Sequence, residues 1–284
     1  MKTAFVTDSG CGKSVAQLQE VGIYSVPLQV SYEGKNFHDQ EDITIDEVYQ
    51  LMKDGKMLST SLPALGKIEE LFTKLKEEGY ERIFAVPICS GLSGTINAMA
   101  LCAQQLDLVF EYVDCHVTAV VQEYMIRLAK TMYESGNTMD HIKATLQRII
   151  DTTDTLLLPN DLQHLKRGGR LTPLAATLGG LLKIKPILKI NQETNGKIDV
   201  VDKVRTMHRA MDNVIEIMRQ EHVDDSYMIT VAHADDEVEA QIYMNKLKQA
   251  FPGATHQIIK LVSVVGVHTG RGCQAVQYFK MLKD

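Results

Sequence analysis

Tryptophan is missing from this 284-residue chain, and so is any apolar run near the ~20 residues that a membrane-spanning helix needs. The first residues lack the basic start, long apolar stretch and small-residue cleavage site of a secretion signal, so a cytoplasmic protein is expected. Cysteine is sparse and odd in number. Cys11, Cys89, Cys102, Cys115 and Cys273 never fall in a C-x-x-C pair, which argues for reduced thiols rather than a disulfide framework. No H-x-x-x-H spacing exists either, and Cys115 and His116 would point opposite ways in extended chain, so no metal site is expected. Excess positive charge is also lacking. Nothing in a net charge of −6 suggests a nucleic-acid surface.

What is present is an ordinary globular balance, long enough for one large or two modest domains. Thirteen methionines supply adaptable apolar side chains, suited to core gaps and to ligand tunnels alike. Residues 3–7 read as a strand ended by Asp8-Ser9-Gly10, and residues 26–32 and 36–39 as a hairpin. The capping box Thr44–Glu47 opens a helix. A hydroxyl-rich loop at 59–66 precedes a helix over 68–76. Residues 82–89 and 108–113 form apolar strands around a helix at 96–106, and two helices follow at 117–134 and 139–150. This alternation indicates a parallel sheet flanked by helices. The texture changes near residue 153. A strand at 155–158, a basic turn at 165–171, a helix over 173–182 and a hairpin over 186–204 come next. Helix 205–219, strand 227–233, helix 237–249, strand 256–265 and a short terminal helix complete an α+β half. The expected domains are therefore 1–153, α/β with a parallel sheet, and 154–284, α+β with a mixed sheet.

The stretch "DSGCGKS" imitates a phosphate-binding loop. The motif G-x-x-x-x-G-K-[ST] would use Gly12, Lys13 and Ser14, but its first glycine falls on Thr7, and Asp8 would put a carboxylate where phosphate belongs. A tight turn capped by Asp8 or Ser9 is the simpler reading. "ICSGLSGT" places Ser93, Gly94 and Thr95 at a strand-to-helix turn, where amides and the helix dipole suit an anion. The same serine is in a partial nucleophile elbow from Gly91, with Thr95 where the last glycine belongs, or it simply caps the helix. Thr60 and Ser61 offer further hydroxyls. Lys166, Arg167 and Arg170 surround a Gly-Gly turn, and His268 and Thr269 stand in a glycine-rich loop.

In order and spacing these stretches resemble the DegV family of bacterial fatty-acid-binding proteins over the whole chain. The marks are Asp8-Ser9, Thr60-Ser61-x-Pro63, Ser93-Gly94-Thr95, Leu165-Lys-x-Gly168-Gly169-Arg170, Lys185-Pro186-Ile187-Leu188, Val204-Arg205 and His268-Thr269-Gly270-x-Gly272. The resemblance implies two α/β domains with a long-chain fatty acid between them, and no other cofactor. It implies that Thr60, Ser61, Ser93, Gly94 and Thr95, with His268 and Thr269, hold the carboxylate. Arg170 and Arg205 would face the phosphoryl group or a separate fatty acid kinase that makes the acyl phosphate. Transient contact with a membrane surface belongs to the same picture. The sequence departs from the family pattern at Leu62, Ala64, Ile96 and Arg271, which leaves chain-length preference and the role of Arg271 open. A carrier without activity of its own is expected. The alternatives are a serine hydrolase using Ser93, a nucleotide-binding enzyme using Lys13 and Ser14, and a lipid sensor without a kinase.

Overall fold

Strand β1, Thr3–Asp8, is buried at all six positions, as a strand covered on both faces must be. In this computed structural model, which describes residues 1–177 and 184–282, it is an inner strand of a parallel sheet. Its neighbours are β2 (Tyr24–Val26) and β6 (Arg82–Ala85), with β7 (Val109–Tyr112) outside β6. Helix α3, Leu65–Glu77, buries Ile68, Phe72 and Leu75 on one stripe against this sheet, beside Met99 and Ala103 of α4, Thr95–Gln105. Helix α5, Val120–Glu134, buries Val121, Met125, Ile126 and Ala129. A small antiparallel sheet of β3 (Gln29–Tyr32), β4 (Lys35–His38) and β5 (Ser59–Ser61) accompanies it. The hydroxyl-rich segment expected to be a loop thus begins as an edge strand on β3, its backbone groups paired rather than left to water.

The chain divides into two compact units, Met1–Arg148 with Val262–Val264, and Ile149–Leu261 with Val265–Asp284. The second carries a six-stranded mixed sheet in the order β10-β9-β8-β13-β11-β12. Its strands are β8 (Asp154–Leu158), β9 (Lys185–Ile190), β10 (Asp199–Val204), β11 (Tyr227–His233), β12 (Thr255–Lys260) and β13 (Gln274–Lys280). Helices α9 (Met207–Gln220) and α10 (Glu237–Ala250) bury Met211, Val214, Met218, Tyr243 and Leu247 against it.

Three expectations change here. The chain ends on strand β13, not a helix, and that strand lies between β8 and β11. Buried Gln274 and Gln277 disguised it. Their amide nitrogens donate to Asp236 O at 3.0 Å and Thr155 Oγ1 at 2.9 Å, which anchors polar residues inside a strand covered on both faces. His268 and Thr269 close a helix, α11 (Ser263–Thr269), where a continued strand and a loop were expected. Lys166 and Arg167 end helix α7 (Leu162–Gly168) rather than forming a free turn. Of the helix expected over 173–182, α8 (Pro173–Thr177) is observed and residues 178–182 lie outside the described residues. No helix among the described residues is long and apolar enough to cross a membrane.

Candidate functional site

The end of β1 is organised by a buried carboxylate. Asp8 caps a 3-10 turn, Ser9–Cys11, by accepting from the Gly10 amide at 2.9 Å. It also accepts from the Ile88 amide at 2.8 Å and from Gln122 Nε2 of α5 at 2.9 Å. Burial pushes the Asp8 carboxyl up to about 6, although the bonds from Gln122, Ile88 and Gly10 pull the other way. This arrangement argues against a phosphate-binding loop here. Ser14 is spent on a capping box with Gln17 at the start of α1 (Val15–Gln19), and Lys13 pairs with Glu123 at 3.6 Å. A second acid, Asp39, is equally buried and is also pushed up to about 6, by burial, against hydrogen bonds from Ser263 and Ser9. Asp39, Gln122 and Ser263 escaped sequence reading. An acid between two polar residues after a hairpin reads as surface turn, and only the three-dimensional packing buries it.

Across from Asp8, the connection from β6 to α4 carries "ICSGLSGT". Ser90 is anchored by Asp114, which accepts from its hydroxyl at 2.5 Å and from its amide at 3.2 Å. The Ser93 amide donates to Cys89 O at 3.1 Å, tightening the turn. The N-cap of α4 is Gly94, and no side chain caps this helix. The reading of Ser93 as a simple cap is therefore corrected. Ser93 Oγ instead bonds Thr95 Oγ1 at 2.8 Å. One hydrogen serves that bond. Thr95 is fully buried and Ser93 only half so, and with Thr95 as donor the Ser93 hydrogen stays available to an incoming oxygen. A Cβ at Gly94 would lie 4.0 Å from Leu62 Cδ2. Ser61 and Leu62 are in turn held by Gln29, whose amide donates to Ser61 Oγ at 3.1 Å and Leu62 O at 2.9 Å. In the first unit Leu62, next to Ser61 in the chain, is thus the neighbour of the Ser93–Thr95 turn at Gly94. Thr60 and Ser61, consecutive in β5, project to opposite faces of its sheet.

In the second unit the two glycine-rich motifs meet. A Cβ at Gly168 would lie 3.0 Å from His268 Cβ and 3.1 Å from His268 O. Gly169, at φ +74°, reverses the chain in the left-handed region. Arg170 then folds back to donate to Gly168 O at 2.7 Å. His164 reaches Val267 O at 2.8 Å and packs on Gly270. Burial, then the charge of Arg170, then His164, hold the His268 imidazole down at about 4, so it is neutral at pH 7. Thr269 is buried. Arg271 forms a two-nitrogen contact with Asp235 at 2.9 and 3.1 Å, which gives it a local structural role. Arg205 is exposed between β10 and α9.

A family model described as an uncharacterised protein of the DegV family matches residues 2–281. The chain belongs to the DegV family. A DegV domain-containing protein of Streptococcus pneumoniae is 30% identical over 284 residues, covering 99% of this chain and all of that one. Another, from Streptococcus pyogenes serotype M3, is 31% identical over 279 residues, covering 97% and 98%. Among solved structures, the fatty acid binding DegV family protein of Streptococcus agalactiae matches with a TM-score of 0.88 at 28% identity, covering 99% of this chain and 100% of that one. DegV of Bacillus subtilis, described as a fatty acid binding protein, matches with 0.86 at 25% identity over the same shares. The parallel-sheet first half and mixed-sheet second half are the architecture of these DegV structures.

Proposed function

We propose that this chain binds a long-chain fatty acid by its carboxylate and presents it to a separate kinase for acyl-phosphate formation, with no catalysis of its own. The observation that carries the reading is the likeness, over the whole length, to two DegV proteins described as fatty-acid-binding. The chemistry of the first unit supports it. A carboxylate taken out of water needs hydrogen bonds, and the uncapped α4 terminus with the Ser93–Thr95 pair offers amide and hydroxyl donors on one turn. Thr60 and Ser61 are assigned to the same group. Burial of the acyl chain, at ~0.8 kcal/mol per CH₂, would supply most of the affinity. We assign His268 and Thr269 to the carboxylate as well, with His268 a neutral hydrogen-bond partner rather than a charge. Arg170 and Arg205 are assigned to the phosphoryl group or the kinase surface.

A serine hydrolase fits less well. Ser93 is bonded to a hydroxyl, and an imidazole held at about 4 is too weak a base for the task near neutral pH. The test is mass spectrometry of lipid extracted from the purified protein, followed by oleate exchange into wild type and Ser93→Ala. Co-purified C16–C18 fatty acid is expected. Losing one hydrogen bond to a charged group should weaken retention roughly 10- to 100-fold in the variant. A protein that neither carries fatty acid nor takes up oleate would end the reading. Equal retention by the variant would remove Ser93 from it.

A further inference from the structure

In the second unit, residues 160, 164 and 168 follow one another at a spacing of about one helical turn, and each meets the end of α11 or the turn after it. A Cβ at Gly272 would lie 3.0 Å from Asn160 Nδ2, and one at Gly270 would lie 3.0 Å from His164 Cγ. A Cβ at Gly168 would lie 3.0 Å from His268 Cβ. The two segments therefore run past each other in opposite directions, with a glycine on one side of every contact. Gly270 and Gly272 also take left-handed backbone, at φ +81° and +76°.

The middle contact is polar as well. Helix α11 closes when the Gly270 amide donates to Gly266 O at 2.9 Å, and the chain then turns away. Val267 O, the next carbonyl, belongs to the last turn, where a helix supplies no further amides of its own. His164 Nε2 stands 2.8 Å from that oxygen. A carbonyl only accepts, so Nε2 carries the ring hydrogen and donates it. His164 thus caps α11 from another helix. Its own place is fixed in turn: its amide donates at 3.0 Å to Asp161 Oδ1, the N-cap of α7. Lys185 Nζ of β9 donates to Asn160 O and Oδ1, both at 3.1 Å, and so ties down the residue before that cap.

We propose that His164 is a positioning residue for the acid site: by capping Val267 O and lying over Gly270 it sets the direction in which His268 and Thr269 are presented. The proposal rests on the reading that gives those two residues to the fatty-acid carboxylate. Val267 immediately precedes His268, so the capped carbonyl and the His268 amide share one rigid peptide plane. Holding that plane fixes the direction of the His268 Cα–Cβ bond, while Gly168 bounds the ring from the side of α7. With the cap lost, the plane turns its carbonyl toward water and the imidazole turns with it.

Two substitutions of equal length separate the hydrogen bond from the packing. His164→Gln keeps a side-chain N–H to offer Val267 O, and His164→Met does not. Both lose the imidazole, so any influence of its charge on His268 is removed alike. Oleate retention should fall about tenfold in His164→Met and stay within about threefold of wild type in His164→Gln, the scale of one hydrogen bond. Followed by NMR without lipid, the His268 ring should titrate about one pH unit higher in His164→Met than in His164→Gln, because a turned ring gains water. An equal His268 titration in the two variants overturns the proposal. So does equal oleate retention by the two, given uptake by wild type. Wild type that takes up no oleate ends the fatty-acid reading, while the lipid-free titration still decides whether His164 places His268.

Discussion

His268 sits in the second unit with its imidazole against Gly168 and facing Arg170 and His164. Its pKa, held at about 4, lies below the ordinary histidine value of about 6.5. The folded state therefore favours the neutral ring. That contribution to stability is complete above about pH 6.5 and is lost as pH falls toward 4. Asp8 and Asp39, both pushed up to about 6, act with the opposite sign. Their contribution is complete below the ordinary aspartate value and is lost as pH rises through about 6. The wild-type profile between pH 4 and 6.5 is thus a partial cancellation. Replacing His268 with Gln removes one side. Between pH 7 and pH 5 the variant should gain roughly 1–2 kcal/mol relative to wild type, read as urea midpoints at the two pH values. Identical pH slopes would contradict the assignment. Sequence singled out His268 and Ser93 because each stands beside glycine at the end of an element. It could not show Asp39, Gln122 or Ser263, whose roles arise from burial by segments far apart in the chain.

At the scale of elements, the two glycines of "LKRGGRL" do different things. Gly169 is required by its left-handed backbone, with little packed against it. Gly168 has ordinary dihedrals, and space is what it lacks, since α11 lies against it at His268. Gly168→Ala should therefore displace α11 or α7 and cost about 2–3 kcal/mol, as overpacking does. Gly169→Ala should cost about 1 kcal/mol from backbone strain alone. Denaturant unfolding of the two variants separates the mechanisms. In addition, only Gly168→Ala should perturb the His268 ring resonances in an NMR spectrum, and an unshifted His268 would refute the packing account. The sequence made both segments look like free loops because α7 and α11 are seven residues each, too short for a periodic signal. Longer amphipathic helices such as α3 and α9 were legible from their apolar stripes.

Across the whole molecule, the α/β character of the first half and the mixed character of the second were readable from the alternation of elements. The position of the last strand was not, because a sheet's spatial order is not its chain order. β13 is the last element among the described residues, yet it pairs with both β8 and β11 and so joins them. Removing residues 274–284 would leave β8–β9–β10 and β11–β12 as separate pieces with unpaired inner edges. The cluster of Leu156, Ile229, Val231 and Val276 would also be split. Unpaired, buried backbone groups along two strands cost far more than the ~5–15 kcal/mol that keeps a domain folded, so the second unit should unfold outright. The first unit's parallel sheet is built wholly from strands within residues 3–112, and its ladder survives the deletion. Limited proteolysis of the truncated chain should then yield a resistant fragment ending near Arg148, the limit of the first unit's main segment. The full-length chain should show no such fragment at the same protease dose. A truncated chain that resists digestion throughout its second unit would mean that β13 does not hold that sheet together.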